Sequence, residues 1–207
     1  LFKNIRETYT PFHKDVSFVL NRIKECKNDS LIKSIRREKN KSKRNELKKK
    51  LPAICFSGTF RKRSDEDLRS HSGLICLDFD GYPRKSDMLK AKKDMSNDSY
   101  VMSVFISPSG NGLKVIVKIP CDQENHKRYF DALSDHFGSK YFDVTCKNLS
   151  RVCYESSDSD IYINMDSELF DKMSEVENLS FELNSDKPSI PITDDGKIVD
   201  ILEKWWV

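Results

Sequence analysis

Asp78 and Asp80 stand two residues apart at the end of the apolar run Leu74-Ile75-Cys76-Leu77. Residues at i and i+2 of a strand project from the same side, so both carboxylates would emerge together and repel. A divalent cation between them removes that repulsion, and hard oxygen donors suit Mg2+ or Mn2+. A strand that simply ends in polar residues before Gly81-Tyr82-Pro83 is the plainer alternative. A second group is the turn Ser107-Pro108-Ser109-Gly110-Asn111-Gly112, followed at once by Lys114. Glycines let backbone N–H groups approach an anion closely, Ser109 adds a hydroxyl and Lys114 a positive charge, which together are parts for holding phosphate. An ordinary hairpin turn with a solvated lysine uses the same residue types. Asp143, after the aromatic pair Tyr141-Phe142, would complete a three-acid metal site if the fold brought it to Asp78 and Asp80. Arg151 could pair with a phosphate or with the base-bearing end of a nucleotide. A loop acid and a structural ion-pair partner are the alternatives for these two.

The elements that must position these groups follow from hydrophobic periodicity. Asp15 to Lys27 predicts an amphipathic helix and the basic stretch up to Leu51 a second one, stopped by Pro52. Ala53 to Phe56 is a short apolar run, Asp65 to His71 a helix, and Leu74 to Leu77 a buried strand ending in acids. Ser86 to Met95 predicts a helix, and Tyr100 to Ile106 with Leu113 to Ile119 a hairpin across the glycine-rich turn. On its second strand Leu113, Val115, Val117 and Ile119 share one face, with Lys114, Ile116 and Lys118 on the other. Gln123 to Phe137 reads as a helix. Phe142-Asp143, Arg151 to Tyr154 and Asp160 to Ile163 read as short extended pieces, and Glu168 to Met173 as a helix. The expected fold class is α+β, a mixed sheet covered by helices on one face and leaving the other free for a ligand. Expected boundaries are a basic helical segment at 1–52, a core at 53–173, and an acidic linker with the start of a further helix at 174–207.

With 207 residues and a formal net charge of +3, the chain suits one domain with appended segments. The small net charge hides an uneven layout: residues 1–63 carry 19 Lys/Arg against 6 Asp/Glu, and residues 155–207 carry 4 against 14. Lys33 to Lys50 is densest, with ten basic residues against Glu38 and Glu46. Such a stretch suits a polyanion such as a nucleic-acid backbone, or else forms a solvated helix face. The six cysteines are scattered without metal-ligand spacing, as in a reducing compartment. No apolar run is long enough for a membrane span and no secretory signal opens the chain, so a cytoplasmic protein is expected. The start at Leu1 and the helical pattern Ile198 to Val207 at the end point to a piece of a longer chain. The histidines form no H-x-H or H-E-x-x-H pattern, and the phosphate-loop and nucleophile-elbow motifs are missing from the sequence. Those absences argue against a histidine-centred nuclease, a zinc hydrolase, an ATPase within this segment and a serine hydrolase.

In order, Leu77-Asp78-Phe79-Asp80, then Ser107 to Lys114, then Phe142-Asp143 with Asn148-Leu149-Ser150-Arg151 resemble the archaeo-eukaryotic primase superfamily. More narrowly, they resemble the primase-polymerase domains of phages and bacterial mobile elements, including VirE-like amino-terminal domains. Lys50 to Phe60 ahead of the Ser72 to Asp78 strand is similar to the same subgroup. The resemblance covers about residues 30–165 and implies an RRM-like sheet packed with an N-terminal α/β unit. It implies template-directed nucleotidyl transfer from nucleoside triphosphates with two ions of Mg2+ or Mn2+ held by Asp78, Asp80 and Asp143. Ser109, Gly110, Asn111 and Gly112 match the nucleotide-binding motif, where Lys114 replaces the usual His, and Arg151 is a further nucleotide-binding candidate. Lys48, Lys49, Lys50, Arg61, Lys62 and Arg63 would grip the backbone of a single-stranded DNA template and primer. A monomer in a bacterial cell or phage-infected host is expected, tethered by its acidic tail to a helicase domain or meeting one in trans. Two rival classes use the same residues: a non-catalytic single-strand-binding module, which calls for aromatics on the open sheet face, and a metal-dependent nuclease, which needs the three acids but not the phosphate turn.

Overall fold

Val19, Leu20 and Ile23 recur at helical spacing and are buried in helix α1 (Val16–Lys24). In the computed structural model the described residues are 1–9 and 11–175. The acidic linker and terminal helix expected toward residue 207 lie outside them from 176 onward. The basic stretch folds as two helices, α2 (Asp29–Arg37) and α3 (Lys41–Lys48), not one. The break has a local cause: Asn40 takes an extended backbone conformation and its side chain accepts from the Lys43 N–H at 3.1 Å, starting α3 afresh.

Next come β1 (Ala53–Ile54), β2 (Gly58–Phe60), β3 (Leu68–His71) and β4 (Leu74–Phe79). They are followed by α4 (Lys85–Met95), β5 (Val101–Ile106), β6 (Leu113–Lys118), α5 (His126–Phe137), β7 (Cys153–Tyr154) and β8 (Tyr162–Ile163). The expected helix over Asp65 to His71 shrinks to one 3-10 turn, Asp65–Asp67, because the following residues pair with β2 as β3. The expected helix over Glu168 to Met173 is likewise extended: Leu169 bridges Lys118, Phe170 N donates to Lys118 O at 2.9 Å, and the Phe170 ring is buried in the core. Burial of that ring favours the extended arrangement over a helical turn.

The principal sheet has strand order β4-β6-β5-β8, antiparallel throughout. The class is therefore mixed α and β, as expected. Ile75, Leu77 and Phe79 of β4, with Leu113, Val115 and Val117 of β6, pack with Met88 of α4 and Tyr129, Phe130 and Leu133 of α5. The opposite face is not left open. Met102, Phe105 and Ile116 pack there with Leu20 and Ile23 of α1, Ile54 of β1 and Cys153 of β7. The apolar residues of that face demand cover, and the N-terminal segment supplies it; its end near Asp78 and Lys114 borders a cleft.

The loop after β7 carries unusual polarity inward, since Glu155, Ser156, Ser157 and Asp158 are all buried. Arg22 of α1 reaches Glu155 through two hydrogen bonds of 3.0 and 3.1 Å, and Asn28 adds a third. Lys92 of α4 pairs with Asp158 at 2.8 Å, and Arg36 of α2 donates to Ser157 O at 2.9 Å. This loop thus ties α1, α2 and α4 together beneath the β5–β6 turn.

Candidate functional site

Alternation along β4 decides where Asp78 goes. With Ile75, Leu77 and Phe79 committed to the α4–α5 side, Leu74, Cys76 and Asp78 face the other way. In register, Asp78 lies opposite Lys114 on β6. Lys114 Nζ donates to Asp78 Oδ2, with both side chains only 14% exposed. Burial opposes the ammonium, but Asp78 and the neighbouring thiols outweigh it and hold the Lys114 pKa above the ordinary lysine range. Lys114 was expected to project toward a phosphate. Its contact is instead with Asp78, whose charge it balances across the strand pair while still lining the cleft.

The backbone brings Asp143 to Asp78. Phe142 bridges Phe79, its ring packs edge-on against Phe79 and Phe130, and the Asp143 N–H donates to Asp78 O at 2.8 Å. Ligand atoms of Asp78, Asp143 and Cys146 all lie within 4.8 Å of one another. Cys146 Sγ donates to Asp143 Oδ2 at 3.0 Å, and Arg151 Nη2 donates to Cys146 Sγ at 2.6 Å and stands 3.8 Å from Asp143. Burial raises the Asp143 pKa, but the Cys146 and Thr145 donors and the Arg151 charge prevail and keep it below the carboxylate range. Burial and the bond to Asp143 push the Cys146 thiol up to about 12, so it remains a hydrogen-bond donor at neutral pH.

Asp80 stands apart from that trio, exposed at the cleft rim. Protein packed round its carboxylate, and then the charge of Asp78, raise its pKa. Its Oδ1 lies over Gly112, where any Cβ would overlap it, so glycine at 112 permits the approach. The other turn glycine has a similar task. Gly110, at φ +80°, lies against the Arg36 side chain, which donates to Ser107 O at 3.4 Å. Within the turn the Ser107 and Gly110 amides are spent on Gly112 O and Ser107 O, and the Ser107 and Ser109 hydroxyls meet at 3.1 Å. Ser107, Pro108 and Ser109 face the cleft. Gly110, Asn111 and Gly112 do not line it, so the expected glycine cradle is a packing device.

The cleft has a volume of about 380 Å3, within the roughly 300–1,000 Å3 range of small-molecule sites. Besides Asp78, Asp80 and the turn, it receives Lys48 from the end of α3, Arg63, Asn148 and Arg151. Arg63 Nη2 donates to Ile5 O at 2.8 Å, while its Nε is buried with no partner among the described residues. Burial lowers the Lys48 pKa, and the charge of Asp80 works against that. Of the six basic residues expected on nucleic acid, only Lys48 and Arg63 reach the cleft. Lys49 pairs with Glu46 and borders a separate depression with Lys50, Arg61 pairs with Asp67, and Lys62 lies over Tyr9.

The residues fit a divalent cation on one specific ground. Asp78 Oδ1 is buried without any hydrogen-bond donor among the described residues, close to Asp143 and beside an Asp80 whose charged form is already disfavoured. Cys146 was missed in the sequence because a lone cysteine has no motif. Its only signal is the three-residue spacing from Asp143, meaningful once a turn folds the two together.

The family described as BT4734-like, N-terminal domain, matches residues 46–163, more than half of the chain. The chain belongs to that family. The matched segment of this BT4734-like domain contains every cleft residue just named except Ile5. No curated protein and no solved structure matches the chain.

Proposed function

We propose that this BT4734-like domain is a nucleotidyltransferase of the primase-polymerase kind, extending a primer on a single-stranded template from nucleoside triphosphates. The reading rests on one observation: Asp78 meets Asp143, with Asp80 at the rim, beside a cleft whose other charged residues are Lys48, Arg63, Lys114 and Arg151. Acids that hold cations, next to bases that hold phosphates, are the parts phosphoryl transfer requires, since its catalysis is mostly positioning and charge stabilisation.

Asp78 Oδ1, Asp80 and Asp143 are the residues that would hold Mg2+ or Mn2+, which when bound supplies activation of the attacking hydroxyl and stabilisation of the leaving pyrophosphate. Lys114 neutralises Asp78 Oδ2 and leaves Oδ1 free for that role. Lys48 and Arg63 would meet phosphates of the strand, and Arg151 with the Ser109 hydroxyl would meet the triphosphate in the same cleft. Arg151 holds Cys146 and Asp143 in place and reaches the same cleft. The imidazole common at the Lys114 position is missing, so no proton transfer is assigned there.

The test supplies primed and unprimed single-stranded DNA, labelled nucleotides and Mn2+ or Mg2+. Extension that disappears in Asp78→Ala/Asp80→Ala supports the reading. Metal-dependent shortening of the template would replace it with the nuclease, and template binding without either reaction with the single-strand-binding module.

A further inference from the structure

Outside the family-matched segment, the chain's first nine residues send Ile5 to the cleft. Ile5 lines it, and Arg63 ties residues 5 and 8 to its own strand of chain by donating Nη2–H to Ile5 O at 2.8 Å and its backbone N–H to Thr8 O at 2.9 Å. Tyr9 comes next. The residue is 67% exposed, more than any other large hydrophobic among the described residues. Lys62, adjacent to Arg63, holds its Nζ 5.1 Å from the ring centroid. Four residues of chain place Tyr9 at most about 14 Å from the cleft wall at Ile5, a span of a few nucleotides. Burial does not explain an aromatic ring held in water at this position, since it gains no core contact there. An electron-rich face backed by a cation and close to a basic cleft is, however, what an unpaired base stacks on.

We propose that Tyr9, steadied by Lys62, is a stacking platform for an unpaired base of single-stranded nucleic acid entering the cleft, with Arg63 receiving the adjoining phosphate. The proposal deepens the reading above by naming where the template strand lies. With the sheet face covered, the stacking surface comes from the N-terminal segment instead.

Binding of a fluorescein-labelled twelve-residue oligothymidylate to the full chain tests it. Stacking contributes about 1–3 kcal/mol per base, so Tyr9→Ala should weaken binding by about fivefold or more, while Tyr9→Phe and Tyr9→Trp stay near wild type. The emission of the introduced indole in Tyr9→Trp should fall as the oligonucleotide saturates. Affinity in Tyr9→Ala within twofold of wild type, or unchanged indole emission at saturation, overturns the platform. If the wild type extends no primer yet Tyr9→Ala still loses affinity, the platform stands and the transferase reading falls. If extension proceeds and Tyr9→Ala binds normally, only the platform falls. A wild type that binds no oligothymidylate removes it outright.

Discussion

Lys114 and Asp78 form the pair on which the cleft's charge balance turns. Both side chains are largely buried and each is the other's direct counter-ion. Removing one partner of a buried pair costs about 3–5 kcal/mol, because the remaining charge is left desolvated. Lys114→Met should therefore lower stability toward that figure in urea denaturation, and millimolar Mn2+ should restore part of the loss by replacing the missing positive charge. If Mn2+ gives Lys114→Met no more protection than it gives wild type, the assignment of Asp78 to a cation is wrong. The residue types at Asp78, Asp80 and Asp143 announced acid chemistry in the sequence. That Lys114 serves Asp78 was not legible, because cross-strand partners are set by register, which one strand's sequence does not specify.

At the scale of elements, two polar seams tie distant parts of the chain together. The first joins α1 to the loop after β7 through Arg22 and Glu155, whose carboxylate has no exposed surface. Arg22→Ala should cost about 3–5 kcal/mol by stranding that charge, and adding Glu155→Gln to it should recover much of the loss; equal stability of the single and double variants in chemical denaturation would contradict this. The second seam joins β3 to α5 through His71 and His126, whose ring nitrogens meet at 2.9 Å. Gly73 N–H donates to His71 Nδ1 at 3.1 Å, so both rings are neutral with His71 Nε2 the donor to His126. Burial, and then the neighbouring His71, bring the His126 pKa down to about 4, and burial lowers that of His71 as well. The unfolded chain, with histidines near pH 6.5, then binds more protons than the folded one. Stability from this pair is complete above pH 6.5 and is lost as pH falls toward 4, by up to about 3 kcal/mol from His126. Melting temperature at pH 7 and pH 5 should differ less in His126→Gln than in wild type. The sequence predicted most helices from periodicity but missed β3, since four residues of mixed polarity become a strand only when β2 lies beside them.

For the whole molecule, charge asymmetry is the organising property. The +13 of residues 1–63 is spread over α1, α2, α3 and the segment before β3, and only Lys48 and Arg63 of the candidate nucleic-acid residues face the cleft. Single-stranded binding should weaken with salt in proportion to the phosphates contacted, with a slope of about −0.7 per contact. Lys48→Gln with Arg63→Gln should flatten that slope by about 1.4, whereas Lys49→Gln with Lys50→Gln should change it far less. Equal effects from both pairs would place the strand path elsewhere.

The amino-acid sequence by itself determined the class, because apolar alternation and helical spacing are local properties that any arrangement of α and β elements must satisfy. It also determined which residues have the chemistry for cations and phosphate, since those depend on functional groups alone. Tertiary structure decided what meets what: that Asp143 and Cys146 join Asp78 while Asp80 stands at the rim, that the turn glycines accommodate Asp80 and Arg36 instead of cradling an anion, and that the sheet face expected to be open is covered. Those outcomes depend on strand register and on long-range burial of apolar faces, which arise only when residues distant along the chain compete for the same space.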